Sequence, residues 1–175
     1  MIDKFLLCAA SALLLASGPA ASREAAAPDD AQIAHIAYTA GQLDVNAGKQ
    51  ALAKSHNKAV RSFAQTMIRD HAAVNDQALA LAKKLGVTPQ DNATSETLTK
   101  QAKEKAGELS KLSGSSFDRA YIQNEVAFHR TVNGALTTTL IPSAHNAELK
   151  SLLKTGLMLF QEHQKHAEEL AKNLL

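Results

Sequence analysis

Helical periodicity, repeated along most of the chain, is the feature of this sequence that most constrains its fold. Apolar residues recur at three- and four-residue steps in four long stretches, and no alternating strand pattern of useful length interrupts them. Such spacing covers one face of an α-helix, and that face becomes stable by packing against other helices. The sequence therefore predicts an all-α fold, an antiparallel bundle of four long helices plus one shorter connector helix between the two hairpins.

The first hairpin has clear boundaries in the sequence. One amphipathic helix of about 25 residues ends near "KSHN". Asn57 is a suitable N-cap for the second helix, and Gly86 is a suitable stop for it. These signals predict two long helices joined by a tight turn.

The second half of the chain starts with the predicted connector, which spans about residues 94 to 112. Ser115 or Ser116 is predicted to cap the third long helix, and Pro142 is predicted to end it. Ser143 is the expected cap of the last helix.

The N-terminal segment has the layout of a secretory signal peptide. A short charged start precedes an apolar run from Phe5 to Ala16 and then small residues, with cleavage expected after Ala20 or Ala21. The run is shorter than the ~20 apolar residues that span a bilayer, although a retained anchor is the alternative. We therefore expect a signal peptide at residues 1–21, a flexible lead-in at 22–30 and a helical domain at 31–175, located in the periplasm without a transmembrane segment after cleavage.

Cysteine and charge content exclude several classes of function. Cys8 is the one cysteine and lies inside the apolar run, so the mature chain is expected to have no disulfide and no thiolate chemistry. The formal net charge is only +2, Trp is absent and aromatic residues make up 4% of the chain. With neither a basic patch nor a set of stacking aromatics, nucleic-acid binding is not expected.

Titratable residues interrupt the apolar stripe of every long helix. His71 stands in the stripe of the second helix, where a bundle core normally takes Leu or Val. Comparable residues occur in the other helices, and two further histidines share a helical face with them. The candidate metal ligands are Asp44, His71, Glu125, His129, His163 and His166.

These candidates are predicted to lie at a similar depth in the bundle. If the connector carries the chain back along the bundle, the first five candidates fall within about 8 Å along its axis, at 1.5 Å per residue. Imidazole and carboxylate groups that converge in a core suit a divalent transition metal, namely Zn, Fe, Mn or Cu. The alternative is a hydrogen-bonded polar layer that only sets the register of the helices.

Three stretches also resemble a known family: "FAQTMIRDHAAVN" at residues 63–75, followed by "AYIQNEVAFHRTVNGAL" and "LIPSAHNAELKSLL". Together they resemble exported bacterial proteins known as a domain of unknown function and often labelled "predicted outer membrane protein", over about residues 32 to 174. The resemblance implies a ferritin-like four-helix fold in the periplasm and no established activity. The Glu-x-x-His motif of di-iron ferritin-like proteins is missing, since Glu125 precedes His129 by four residues.

Three functions remain open at this stage. A periplasmic bundle could bind a transition metal for uptake, buffering or stress protection. A structural or interaction protein could instead use the polar layer only for register and bind an envelope partner or a second copy of itself. A redox enzyme is less favoured, because no catalytic residue is legible, and the absence of Cys-x-x-Cys-His argues against covalently attached haem.

Overall fold

The computed structural model describes residues 27–174, and all the regular secondary structure in that part of the chain is helical. The predicted signal peptide and residues 22–26 of the predicted lead-in lie outside the described residues. Four long helices are present: α1 (Asp30–Lys54), α2 (Lys58–Leu85), α4 (Gly114–Ala135) and α6 (Ala147–Asn173). The connector α3 (Ala93–Ser110), a π-helical turn (Leu136–Leu140) and the single turn α5 (Ile141–Ser143) complete the order. The predicted all-α bundle with a shorter connector is confirmed, while its ferritin-like arrangement stays a prediction.

The predicted boundaries of α2 are confirmed, and each has a local cause. The Asn57 side chain accepts hydrogen bonds from the backbone N–H groups of Ala59 and Val60. At the other end Gly86 has a φ of 66°, a left-handed conformation that glycine adopts without steric cost. Both signals lie within a few residues of the helix end, so the sequence alone contains them.

Three predicted boundaries in the second half are wrong. α4 begins at Gly114, before Ser115 and Ser116, because a φ of 54° at this glycine turns the chain into the helix. Pro142 does not end the helical path, since it lies at the start of the turn α5, where a missing N–H costs nothing. The cap of α6 is Asn146 instead of Ser143, because the Asn146 side chain accepts from two backbone N–H groups of the first turn.

Each long helix runs antiparallel to the helices beside it. α1 packs on α2, α2 on α6, α6 on α4, and α4 closes the ring against α1. Lys54 at the end of α1 donates to the carbonyl of Ser110, and Asp30 at its start accepts from the backbone N–H of Asn146. The connector α3 therefore carries the chain back along the bundle, as assumed when the depths of the polar residues were compared.

Two separate apolar clusters form the core. The cluster near the α1–α2 turn includes Phe63, Met67, Phe117 and Tyr121, and α2 and α4 supply most of it. The cluster at the opposite end includes Ile33, Ile36, Leu136, Leu140 and Leu153. A layer of buried polar side chains lies between the two clusters, about halfway along the bundle.

Candidate metal centre

Five of the six predicted ligands come together in the polar layer, and each long helix supplies at least one. Between 1 and 4% of each residue's surface is exposed. The layer consists of Asp44 from α1, His71 from α2, Glu125 and His129 from α4, and His163 from α6. We call this set the five-residue layer.

Three atoms define the centre of the five-residue layer. Asp44 Oδ2 lies 3.3 Å from His71 Nε2 and 3.5 Å from His129 Nε2. The two imidazole nitrogens are 3.4 Å apart. One carboxylate oxygen and two ring nitrogens from three different helices therefore converge on one small volume.

The hydrogen bonds of His129 fix which of its nitrogens faces this volume as an acceptor. His129 Nδ1 donates to the backbone carbonyl oxygen of Glu125, at 3.0 Å, because a carbonyl can only accept. In the neutral imidazole the proton is thus on Nδ1, and Nε2 has a free lone pair. That lone pair points towards Asp44 and His71, as a metal ligand would require.

His163 is oriented by a carboxylate at the edge of the layer. Its Nε2 lies 3.0 Å from Asp70 Oδ2, and Asp70 also accepts a bond of 2.7 Å from Arg69 Nε. Because the Asp70 carboxylate accepts the Nε2 proton, His163 Nδ1 has a lone pair, and this buried atom has no hydrogen-bond partner. A carboxylate that holds the outer nitrogen of a histidine is the usual support for a metal-binding imidazole.

Several buried polar atoms of the layer have no hydrogen-bond partner. Among the described residues, buried side-chain atoms without a hydrogen-bond partner include both carboxylate oxygens of Asp44, Glu125 Oε2, and Nδ1 of His71 and of His163. Buried polar atoms are nearly always paired, and each unpaired one costs about 1–3 kcal/mol. A cation at the centre would satisfy several of these atoms at once.

Burial controls the protonation of the layer. Burial lowers the pKa of His71 well below its ordinary value, with the neighbouring histidines adding to the effect, and lowers the pKa of His129 to about 4. Burial also raises the pKa of Asp44 to about 7, and burial together with the Asp44 charge raises the pKa of Glu125 well above its usual range. At neutral pH without metal, the imidazoles are therefore neutral, Glu125 is protonated and Asp44 is about half protonated.

The outer pair behaves differently because it is closer to solvent. Burial lowers the pKa of His163 and outweighs the opposing contribution of Asp70. Burial alone would raise the pKa of Asp70, but the hydrogen bonds from Arg69 and His163 together lower it. Asp70 is therefore an anion at neutral pH and a constant acceptor for His163 Nε2.

Two overlapping ligand groups share His129. One nitrogen each from His71, His129 and His163 lie within 4.8 Å of one another, and so do ligand atoms of Asp44, Glu125 and His129. Nitrogen donors mixed with carboxylate oxygens suit zinc, iron, manganese or copper better than calcium. The five-residue layer could hold a metal ion of this type.

The sixth candidate, His166, lies outside the layer. It is exposed on α6, and its ring contacts the edge of Phe63, with centroids 5.2 Å apart. His163 is buried three residues earlier on the same helix. The two histidines therefore form a natural pair of test and control positions.

Some contacts of the layer could not be identified from the sequence. Phe160 stacks on His71 with ring centroids 4.5 Å apart and planes 10° apart. The Tyr121 hydroxyl is buried without a partner near Glu125, whose charge helps burial to raise the pKa of this tyrosine. The pairing of Asp70 with His163 is identified only by the structure.

Comparison with known proteins gives one match. The family model described as "Domain of unknown function (DUF4142)" matches residues 15–170. No curated protein and no solved structure matches the chain. Within residues 27–174, no helix combines the length and apolar character needed to cross a membrane.

Proposed function

Because the chain belongs to the DUF4142 family, whose description names no activity, we propose a function from its own geometry: the protein binds a divalent transition metal in the five-residue layer. The observation that carries the proposal is the convergence of ligand atoms from four helices on one buried volume, with several acceptors left unpaired. Uptake, buffering or stress protection in the periplasm is the physiological role we favour. His166 has no part in the proposed site.

The orientation of the imidazoles supports metal binding. His129 and His163 each direct an N–H away from the centre, to a backbone carbonyl and to Asp70 respectively. Each therefore keeps an unprotonated nitrogen for the interior. Holding the outer N–H in this way fixes the tautomer and orients the ring before metal arrives.

A second feature supports access of an ion to the carboxylate side. A cavity of about 480 Å³ between α1, α3 and α4 is lined by both Asp44 and Glu125. The connector α3 borders it and buries few of its own side chains, chiefly Ser95 and Leu109. A metal ion would thus reach the carboxylates beneath a loosely packed helix, without crossing either apolar cluster.

A non-catalytic structural role is the competing function, and one observation favours it. The layer satisfies part of its own hydrogen bonding through the His163–Asp70 and His129–Glu125 contacts, and His71 gains a stacking partner in Phe160. Such contacts would also fix the register of the four helices. In that case no metal is needed and the functional surface lies elsewhere.

The decisive experiment compares His163→Ala with His166→Ala. Both variants remove one histidine from α6, but only the first removes a buried member of the layer. We expect elemental analysis of untagged protein, after incubation with Zn²⁺, Mn²⁺, Fe²⁺ or Cu²⁺ and gel filtration, to give about one metal per chain in the parent and in His166→Ala.

His163→Ala should lose most of that metal while retaining a helical circular dichroism spectrum. Equal metal content in the two variants would reject His163 as a ligand. A metal-free parent whose melting temperature is unchanged by chelator would reject metal binding and favour the structural role.

A further inference from the structure

The apolar half of the bundle next to the layer encloses a large cavity. Its volume is about 620 Å³, and it lies between α1, α2, α4 and α6 with part of α3 along one side. Voids in ordinary protein interiors are rarely larger than a water molecule, about 30 Å³ in liquid. Cavities of about 300–1,000 Å³ are typical of sites for small organic ligands.

Small side chains keep this cavity open. Ala37, Ala40, Ala78, Ala135 and Gly156 all line it, on four different helices. At Gly156 an added Cβ would make only an ordinary contact of 3.4 Å with Phe160, so larger residues would fit and fill the space. The opposite half of the bundle uses Phe63, Met67, Phe117 and Tyr121 to fill the equivalent region.

The walls are aliphatic and the outer rim is polar. Besides the small residues, leucines and Ile36 of the second apolar cluster dominate the lining. The cavity reaches exposed chain at Ala93 and Thr94, beside the side chains of Asn92 and Asn146. An apolar interior below a polar rim favours an amphipathic molecule whose apolar part enters the bundle.

The inner end of the cavity is formed by the five-residue layer. His71 and His129 line it, together with Phe160, which stacks on His71. A molecule that fills the cavity from the rim inward would therefore end beside the two imidazoles. Aromatic side chains are few along the path, so the cavity suits a flexible alkyl chain better than a flat ring system.

We propose that this cavity binds the alkyl chain of a fatty acid or fatty alcohol, with the inner end of the chain beside His71 and His129. The inference goes beyond metal binding and does not depend on it, because apolar side chains outside the layer form most of the cavity wall and the layer contributes only His71 and His129 at the inner end. Metal content and alkyl binding can therefore succeed or fail separately.

The test uses displacement of a fluorescent probe with an alkyl tail, 11-(dansylamino)undecanoic acid, from the purified chain by laurate and by dodecanol. We expect both competitors to displace the probe, with and without chelator, because burial of the alkyl chain provides most of the affinity. Competition by laurate alone would assign a fatty acid, whose carboxylate the rim then recognises. Competition by neither would overturn the proposal.

Ala78→Phe and Ala80→Phe are the matched variants. Ala78 lines the cavity, whereas Ala80 is exposed two residues later on the same helix. A phenyl ring at position 78 should weaken competitor binding about tenfold, and the same ring at position 80 should leave it unchanged. Ala135→Leu, which narrows the cavity from α4, replaces Ala78→Phe if that variant does not fold.

Metal content measured on the same samples should match the parent in all three variants. If the exposed Ala80→Phe variant weakens binding as much as the two cavity variants do, the probe lies on the surface and the cavity assignment is wrong.

Discussion

Replacing Asp44 by asparagine should change how the stability of the metal-free protein depends on pH. Asp44 is fully buried, and burial raises the pKa of its carboxyl group from the ordinary 3.8 to about 7. Between these two pH values the folded chain holds a proton at Asp44 that the unfolded chain has released. Stability contributed by this residue is therefore present below about pH 4 and declines as the pH rises to about 7.

The size of this decline follows from the two pKa values. At about 1.4 kcal/mol for each pH unit, the difference between 3.8 and about 7 corresponds to up to about 4 kcal/mol. Asparagine cannot ionise, so the variant avoids the decline altogether. Removing the Asp44 charge also removes one cause of the raised pKa of Glu125, which acts in the same direction.

The parent alone will not show this effect clearly, because His129 opposes it. Burial lowers the pKa of His129 from 6.5 to about 4, so its contribution to stability rises with pH over nearly the same range. The useful quantity is the free energy of unfolding of Asp44→Asn minus that of the parent. We expect this difference to increase with pH between about pH 4 and pH 8, by up to about 4 kcal/mol.

Urea denaturation followed by far-UV circular dichroism, in the presence of chelator, measures the difference directly. Asp76→Asn is the control, because it makes the same substitution at an exposed position of α2, where the free energy of unfolding should change little. A difference for Asp44→Asn that stays within about 0.5 kcal/mol across the range would show that burial does not hold a proton on this carboxyl group.

Three further predictions test the metal centre and the helix packing. Metal binding at about pH 7 should release about one to two protons per ion, because Asp44 and Glu125 must ionise to become ligands. A pH indicator in weak buffer measures the released protons, and the affinity for metal should fall as the pH is lowered. Gly48→Ala should destabilise the protein by about 1–3 kcal/mol, since the new Cβ would lie 2.9 Å from the Ile68 side chain of α2. The control Gly107→Ala, at an exposed position with no atom near the new Cβ, should stabilise α3 by up to about 1 kcal/mol. Asn57→Ala should cost about 1 kcal/mol through loss of the α2 cap, measured by thermal or urea denaturation.

Much of the helical architecture is readable from the sequence because its signals are local. Apolar periodicity, the cap at Asn57 and the stop at Gly86 each involve residues within a few turns of one another. The errors at Pro142 and Ser143 have a non-local cause. The π-helical turn Leu136–Leu140 and α5 continue the helical path through Pro142 to Ser143, and α6 then starts at Asn146, whose backbone N–H donates to Asp30 at the start of α1.

The buried stripe of α4 shows why a site can be only partly predicted. After Glu125 the next core position can lie three or four residues later, at Phe128 or at His129, and both spacings are compatible with a helix. Spacing alone does not choose between them, but the bundle buries His129 and leaves Phe128 half-buried. The choice depends on how α4 rotates against α1 and α6, which one helix alone does not determine.

Neither the side-chain pairs that join different helices nor the cavity has a local signal in the sequence. The bond between His163 and Asp70 joins residues 93 positions apart, and sequence spacing contains no information about it. The alanines along the cavity are good helix formers and would be expected in any bundle. Only the packing of the four helices shows that the side chains facing these alanines do not reach across the cavity to fill it.

The distribution of hydrogen-bond donors and acceptors in the five-residue layer is the strongest argument for choosing between metal binding and a purely structural role. A layer that only sets register gains most when donors and acceptors are balanced, since each unpaired buried atom weakens the fold. Here the N–H groups of His129 and His163 point away from the centre, while the Nε2 lone pair of His129 and the carboxylate oxygens of Asp44 face it and His71 Nε2 is placed to donate to them, so acceptors outnumber donors. Positive charge at the centre restores the balance, supplied either by protons on Asp44 and Glu125 or by a metal ion. Protons and metal should therefore compete for the same volume, and a layer of this composition is better suited to binding and releasing a cation than to fixing helix register.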